Sequence, residues 1–276
     1  RSRGAQWALS PVIDVCRDPR WGRVEETYGE DPYLNGIYAI TAVKGFQGTM
    51  NGTVAPNHVA ATLKHFCGHG QPEGGLNQAP ANYSERTLRE FQFLPFQMVV
   101  QQARPIAVMP SYNEIDGRPS HANSWLLTDV LRKEWGFGGL IISDWNAIDQ
   151  LENKHFIAKD KKEAAMLAFN AGVQFELPNR DYYKNMEALV NEGKVKLEEV
   201  DAAVFELLKL KFELGLFDNP YIDVDKAIAV TKEPGSKQLA LKAAQESIVL
   251  LKNDNNLLPI KKGQYKKIAV VGPCAN

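Results

Sequence analysis

Short apolar segments alternate with longer amphipathic segments along most of the chain. The apolar segments are predicted as strands at 7–15, 59–66, 105–113, 139–145 and 173–178. Between them, apolar residues recur at helical spacing, which predicts helices at 32–46, 84–98, 124–136, 161–172 and 200–214. Ser84 is predicted to cap one helix, and Gly136 and Gly172 are predicted to end two others. Strands that alternate with helices favour parallel β/α units.

This alternation predicts an α/β fold in which residues 1–217 form part of a (β/α)8 TIM-type barrel. Five strands within about 175 residues fit most of such a barrel. A doubly wound sheet is the structural alternative, but no glycine-rich phosphate-binding fingerprint follows any of the strands. The glycine-rich segment 68–75 lacks the Gly-Lys-Ser/Thr ending of a P-loop, so it does not favour that alternative.

The pattern changes after residue 215. Residues 216–236 contain two prolines and many acidic side chains, and we predict a linker at 218–233. A new amphipathic helix and the apolar run 267–272 then predict the start of a second, α/β sandwich domain at 234–276. Because the chain starts with Arg1 and ends just after the last predicted strand, we expect it to be part of a longer protein.

Composition narrows the class of protein. Apolar residues make up 44% of the 276 positions, charged residues 24%, and the formal net charge is -1, which is the balance of a globular protein. No basic stripe indicates a nucleic-acid partner. The apolar runs are too short for a membrane span. Cys16, Cys67 and Cys274 are widely separated and are interpreted as small hydrophobic residues.

Polar side chains follow the apolar segments at the points where the predicted strands end. They are Lys64, His65, Tyr112, Asp144, Trp145 and Glu176. The carboxyl ends of barrel strands meet at one mouth, where active sites lie, so these side chains are predicted neighbours. Charged groups form strong hydrogen bonds to hydroxyl groups, and an indole offers an apolar face to a ring. The set therefore predicts a pocket for a polyhydroxylated ligand.

Structural interpretations of the same residues stay open. An aspartate between a strand and a helix, such as Asp144, is often an N-cap. Trp145 could be a packing residue at the barrel rim, and the Lys64 and His65 side chains a structural pair. His65 and His69 invite a zinc interpretation, but glycines on both sides of His69 exclude a helix and no further ligand cluster follows. No metal and no cofactor are predicted.

Five segments resemble glycoside hydrolase family 3, which comprises β-glucosidases, β-xylosidases and their relatives. They are "SPVIDVCRDPRWGRVEETYGEDPYL", "ATLKHFCGHG", "VMPSYNEIDG", "GLIISDW" and "SIVLLKN…LP", and they occur in the order that the family shows. The resemblance covers essentially the whole chain. It implies a catalytic barrel followed by a second domain, and a glycoside as substrate.

The resemblance also implies roles for matching residues. Asp144 of "SDW" matches the catalytic nucleophile of a retaining glycosidase, which forms a covalent glycosyl-enzyme. The other matches are substrate-binding residues: Arg23 of "RWGR", the pair Lys64 and His65, Tyr112 of "SYN" beside the nucleophile, and Trp145, which flanks the bound ring.

The chain departs from the family pattern in several places. Val24 stands where some members have a cysteine that forms a disulfide, which leaves Cys16 unpaired. Gln174 replaces a frequent aspartate and is given no role. The resemblance places an acidic sugar-binding residue of the family before Arg1, and the acid/base glutamate of the family is expected beyond Asn276. The branch that cleaves N-acetylglucosamine carries an Asp/Ser/Thr-His dyad after "GHG", which residues 71–86 lack.

The sequence therefore leaves three functions open. The first is an exo-acting, retaining β-glycosidase that releases terminal glucose or xylose from an oligosaccharide or aryl β-glycoside. The second is a Schiff-base lyase that uses Lys64. The third is a non-catalytic sugar-binding fragment. We expect a periplasmic or secreted protein, and the sequence leaves the choice between glucose and xylose and the oligomeric state open.

Overall fold

A computed structural model describes residues 1–275 of the chain. The chain divides into two compact units, and the boundary along the sequence lies between Ile222 and Asp223. The first unit contains every strand among the described residues. These strands are β1 Trp7–Ala8, β2 Ala60–Phe66, β3 Ala107–Pro110, β4 Glu114–Ile115, β5 Arg118–Pro119, β6 Leu140–Trp145 and β7 Phe175–Leu177.

The helices of the first unit lie mainly between the strands. The α-helices are α1 Pro32–Gln47, α2 Glu85–Thr87, α3 Leu94–Gln102, α4 Asp149–Asn153, α5 Lys161–Ala171, α6 Met186–Asn191 and α7 Leu197–Glu213. Two further segments, Leu88–Gln92 and Trp125–Glu134, have π-helical hydrogen bonding. Short 3-10 helices occur at Val24–Glu26, Glu73–Gly75, Ser120–Ala122 and Tyr183–Asn185.

A parallel five-stranded sheet with the order β1-β2-β3-β6-β7 forms the centre of this unit. Strands β4 and β5 form a separate antiparallel hairpin. Each connection between neighbouring strands of the large sheet contains helix, so the unit is a half-barrel of β/α units. The predicted partial TIM-type barrel is confirmed by this topology.

The predicted helix ends are confirmed where the chain supplies capping residues. The Ser84 side chain accepts the backbone N–H of Thr87 at the start of α2. At the end of α5, Gly172 adopts a φ of 112°, a conformation that favours glycine.

The sheet is buried on both faces, which explains why its strands are continuous apolar runs. Val108 and Ile141 join the larger cluster of buried side chains, together with residues of α1, α3 and α5. Their neighbours on the opposite face, such as Met109 and Ile142, join a smaller cluster with Leu210 of α7.

The turn before β6 allows a matched test of this packing. A Cβ at Gly139 would meet the carbonyl oxygen of Ile106 and lie 2.7 Å from the Phe137 ring, whereas one at Gly138 would meet nothing within 4 Å. We expect Gly139→Ala to lower the free energy of unfolding by about 1–3 kcal/mol, the scale of overpacking. Gly138→Ala is the control, with a change within about 0.5 kcal/mol. Urea unfolding of both variants measures the difference, and equal stabilities would contradict the packing.

The second unit differs from what the sequence pattern predicts. Its α-helices are α8 Val224–Thr231 and α9 Pro234–Glu246, and a 3-10 helix covers Asp254–Asn256. Part of the predicted linker is therefore helical, because the Asp223 side chain accepts the backbone N–H of Lys226 and caps α8. The run 267–272 was expected as a strand but is not one: a strand needs a hydrogen-bonding partner, and no other strand occurs among the described residues of this unit. The domain boundaries at 217 and 233 and the sandwich architecture stay predictions.

No helix among the described residues has both the length and the apolar character needed to cross a membrane.

Candidate active site

Asp144 lies at the carboxyl end of β6 and is 8% exposed, and the next residue, Trp145, is 56% exposed. The Asp144 carboxylate accepts the backbone N–H of Trp145 on Oδ1 at 2.6 Å. It does not cap the helix that follows, because α4 begins only at Asp149 and has no side-chain cap. The N-cap interpretation is therefore wrong. The other carboxylate oxygen, Oδ2, is buried and makes no hydrogen bond within residues 1–275.

His65 lies in β2 and faces this carboxylate. Its Nε2 is 3.5 Å from Asp144 Oδ2. Its Nδ1 is 2.7 Å from Oδ2 of Asp14, which also accepts the backbone N–H of His65 at 3.2 Å. Both side chains are almost fully buried. Burial lowers the pKa of His65 to about 3 and raises the pKa of Asp14 to about 6.

These two pKa values define the protonation of the pair at neutral pH. Asp14 is ionised and His65 is neutral, although the 2.7 Å contact could suggest an ion pair. The proton of the imidazole then lies on Nδ1, which donates to Asp14. The Nε2 atom consequently carries a lone pair and accepts hydrogen bonds.

Arg23 supplies the donor that this lone pair requires. Its Nη2 is 3.2 Å from Nε2 of His65, and its Nη1 is 3.3 Å from Nε2 of His69. Glu26 holds the guanidinium through two hydrogen bonds of 2.7 Å and raises the pKa of Arg23. One arginine therefore connects two buried imidazoles to the loop that follows β1.

His69 is fixed by its own neighbours. Trp21 packs edge-on against its ring with centroids 5.0 Å apart, and the Trp21 indole N–H donates to Asn77 Oδ1 at 2.9 Å. Burial lowers the pKa of His69 to about 3. A neutral His69 accepts from Arg23 through Nε2, so this nitrogen is bonded to a cationic donor, and Nδ1 is buried without a hydrogen-bond partner among the described residues.

Tyr112 follows β3 and completes one side of the site. Its hydroxyl donates to the carbonyl oxygen of Trp145 at 2.9 Å. Burial and the neighbouring Asp144 carboxylate raise the pKa of Tyr112, so the phenol stays protonated at neutral pH. The hydrogen bond ties the loop after β3 to the end of β6.

Two residues from strand ends stand apart from this hydrogen-bond network. Lys64 is half-buried, and its ammonium group makes no ion pair or hydrogen bond within residues 1–275. Glu176 is not free to act in the mouth, because its carboxylate accepts the backbone N–H groups of Tyr182 and Tyr183 at 3.0 and 2.7 Å. It caps the 3-10 helix that follows β7.

Sequence reasoning missed four residues of the site: Asp14, Glu26, His69 as a neighbour of Arg23, and His121. Asp14 gave a signal, because it is a lone carboxylate inside the apolar segment "PVIDV". His121 gave none. It follows the β4–β5 hairpin, and its Nε2 accepts the backbone N–H of Asp144 at 3.0 Å.

The site contains no recognisable metal centre. Within the described part of the chain, no group of three or more histidine, cysteine, aspartate or glutamate side chains is arranged to hold a metal ion.

Comparison with known proteins shows the family of this chain. The family model described as "Glycosyl hydrolase family 3 N terminal domain" matches residues 1–210. The chain belongs to glycoside hydrolase family 3. It is 40% identical to a putative beta-xylosidase of Formosa agariphila over 99% of this chain and 36% of that protein. It is 38% identical to the periplasmic beta-glucosidase of Salmonella typhimurium, over 99% of this chain and 36% of the relative.

Solved structures of this family share the fold. A β-glucosidase from Erythrobacter marinus superposes with a TM-score of 0.91 at 41% identity, over 95% of this chain and 35% of that one. The beta-glucosidase from Listeria innocua in complex with glucose gives a TM-score of 0.87 at 40% identity, over 94% of this chain and 36% of that one. The chain thus spans 35–36% of the length of each of these four family members.

Proposed function

We propose that the protein is an exo-acting, retaining β-glycoside hydrolase that releases terminal glucose or xylose, with Asp144 as its nucleophile. The observation that carries this proposal is the buried Oδ2 of Asp144, which has no hydrogen-bond partner among the described residues and lies at the mouth of the half-barrel. An atom that must attack an anomeric carbon has to be free of other bonds. Relatives named beta-glucosidase and beta-xylosidase support the substrate class.

The neighbouring groups fit this chemistry. In the first step, Asp144 Oδ2 bonds to the anomeric carbon and the glycosidic oxygen leaves with the bonding pair. Arg23, held by Glu26, supplies positive charge near the nucleophile. Four of its five N–H groups bond to Glu26, His65 and His69, and the remaining one, on Nη1, is the donor left for a sugar hydroxyl. Lys64, which has no partner within residues 1–275, is a second donor. Trp145, more than half exposed, offers its face to the sugar ring.

A second carboxyl group has to protonate the departing oxygen and later activate water, about 5 Å from the nucleophile. Among the described residues near Asp144, neither nearby carboxylate is free for this role. Asp14 is bound to His65 and Glu26 is bound to Arg23. We therefore assign no acid/base residue within residues 1–275.

The other two functions that the sequence left open are weaker. Membership of a hydrolase family leaves a Schiff-base lyase without support, since nothing around Lys64 distinguishes it from a ligand for hydroxyl groups. The third function, sugar binding without catalysis, is tested by the activity measurement described below. The name of the Salmonella relative supports a periplasmic or secreted location for this protein as well.

The stereochemistry of hydrolysis tests the mechanism. Two displacements at the anomeric carbon retain its configuration, so NMR of the first sugar released from an aryl β-glucoside or β-xyloside by the full-length protein should show the β anomer. Aryl α-glycosides are the control and should not be cleaved. The α anomer appearing first would indicate a single displacement and contradict a nucleophilic Asp144. No turnover of any aryl glycoside would favour the sugar-binding alternative.

A further inference from the structure

The backbone N–H of Asp144 has an unusual partner for a residue in a parallel sheet. Strand β6 pairs with β3 only at Leu140 and Ile141, and its register with β7 shifts between Ile142 and Trp145. The N–H of Asp144 therefore lies where the regular ladder has ended. It donates instead to Nε2 of His121 at 3.0 Å.

His121 is held firmly enough to act as a fixed acceptor. Its side chain is 2% exposed, and it belongs to the 3-10 helix Ser120–Ala122 that follows the β4–β5 hairpin. The neighbouring Ser120 hydroxyl donates to the carbonyl oxygen of Asn113 at 2.8 Å and lies 3.1 Å from the Ser111 hydroxyl. These bonds attach the helix to the end of β3.

Two hydrogen bonds together define the direction of the Asp144 carboxylate. The His121 imidazole fixes the peptide plane on the N-terminal side of Asp144, and the Trp145 N–H holds Oδ1 on the other side. What remains free is Oδ2. Reacting atoms need alignment within a fraction of an ångström, and a shift of about 1 Å can cost about 10²-fold in rate.

We propose that His121 is a positioning residue for Asp144: its neutral imidazole replaces the missing strand partner and orients the carboxylate for attack. This inference rests on the proposed function, in which Asp144 is the nucleophile. His121 itself touches neither substrate nor the reacting oxygen. Its contribution should therefore appear in the chemical step rather than in sugar binding.

Three substitutions separate an acceptor role from a packing role. His121→Gln places an amide oxygen where Nε2 lies and keeps the bond to the Asp144 N–H. His121→Leu removes the acceptor, and His121→Asn keeps an amide that is too short to reach. The full-length variants are treated with a 2-deoxy-2-fluoro-β-glucosyl fluoride. The rate constant of inactivation at saturation, the concentration at half saturation and the amount of label by intact mass are measured.

We expect the Leu and Asn variants to be inactivated about 10–100-fold more slowly at saturation, with half-saturating concentrations within about threefold of wild type. The Gln variant should react within about threefold of the wild-type rate. Partial misfolding lowers only the amount of label, because the rate constant belongs to the folded molecules that react. The measurement therefore stays informative even for a less stable variant.

The outcomes that overturn the inference are distinct from failure of the proposed function. Wild-type rate constants for the Leu and Asn variants, with Asp144 labelled, would show that His121 does not position the nucleophile. A Gln variant as slow as the Leu variant would show that the acceptor is not what matters, and would overturn the inference too. Label on another residue of the wild-type protein would instead remove the nucleophile assignment on which the inference rests.

Discussion

Asp144→Asn is expected to lower kcat of the full-length protein on aryl β-glucosides or β-xylosides by at least about 10³-fold, because removal of a nucleophile abolishes the covalent route. The substitution changes little else. An asparagine oxygen can still accept the Trp145 N–H that Oδ1 accepts now. The backbone bond to His121 does not involve the side chain, so the variant should fold like the wild type. Steady-state kinetics and urea unfolding measure the two effects separately.

Asp149→Asn provides the matched control for this substitution. Asp149 lies five residues further along in α4, and its carboxylate accepts from the Tyr182 hydroxyl at 2.6 Å and from the Asn153 amide at 2.8 Å. An asparagine keeps an acceptor at this position, and the hydrogen-bond partners of the Asp149 carboxylate, Tyr182 and Asn153, lie outside the site, so kcat should stay within about twofold. A comparable loss of activity in both variants, or a 2-fluoro-glycoside label on Asp149 or Glu176, would contradict the assignment of Asp144.

The sequence was informative about the strands because parallel strands buried on two faces leave a strong signal. The runs that become β2, β3 and β6 are almost entirely apolar and end abruptly in polar residues. From that change alone the mouth of the barrel could be predicted. The resemblance to the family then added Arg23, which belongs to no strand end and which local patterns could not place.

The sequence could not predict the buried hydrogen-bond partners that hold the site residues in place at the barrel mouth. Asp14 and His65 lie 51 positions apart, and the guanidinium of Arg23 reaches His69 across 46 positions. Such partners are chosen by tertiary packing, and no local spacing reports them. Glu176 was grouped with the site residues because it lies near a strand end, as Asp144 does. Its carboxylate is instead bound to backbone N–H groups. Position at a strand end therefore did not by itself identify a reactive group.

The segment after residue 222 was less predictable for a different reason. Acidic residues and prolines are common in linkers, but Asp223 is also a good N-cap and the chain after it is helical. An apolar run such as 267–272 specifies a strand only when another strand is available to pair with it. The apolar pattern therefore indicates that the segment needs a neighbouring strand, and the described residues of this unit contain none.

A steep loss of stability in mild acid is the second large expected effect. His65, His69 and His121 are each buried, and burial lowers the pKa of each to about 3. In the unfolded chain a histidine titrates near 6.5, so between these values each one takes up a proton on unfolding. Asp14 acts in the opposite direction, because burial raises its pKa to about 6 and unfolding releases its proton above about 4.

The net uptake between about pH 6 and pH 4 is therefore roughly two protons, which corresponds to a loss of stability on the order of 2–3 kcal/mol for each unit that the pH falls. Over two units this amounts to about 5 kcal/mol, comparable to the whole stability of many domains. Stability falls as the pH falls because the native state binds fewer protons than the unfolded state in this range. Stability is complete only well above about pH 6.5, the pKa of a histidine in the unfolded chain, and it decreases as the pH falls through that value.

Urea midpoints followed by tryptophan fluorescence from pH 7.5 to pH 4.5 measure this dependence. His121→Gln removes one imidazole from the buried set, so the slope of stability against pH should fall to about half the wild-type value. His58→Gln is measured alongside as the substitution of a histidine outside the set: it lies in the turn before β2, with Nδ1 3.0 Å from the carbonyl oxygen of Pro56. Constant stability down to pH 4.5 would mean that the buried imidazoles are already charged in the native protein. The lone pair on His65 that accepts from Arg23 and the lone pair on His121 that accepts from Asp144 would then both be absent, and the hydrogen-bond pattern of the site would have to be reassigned.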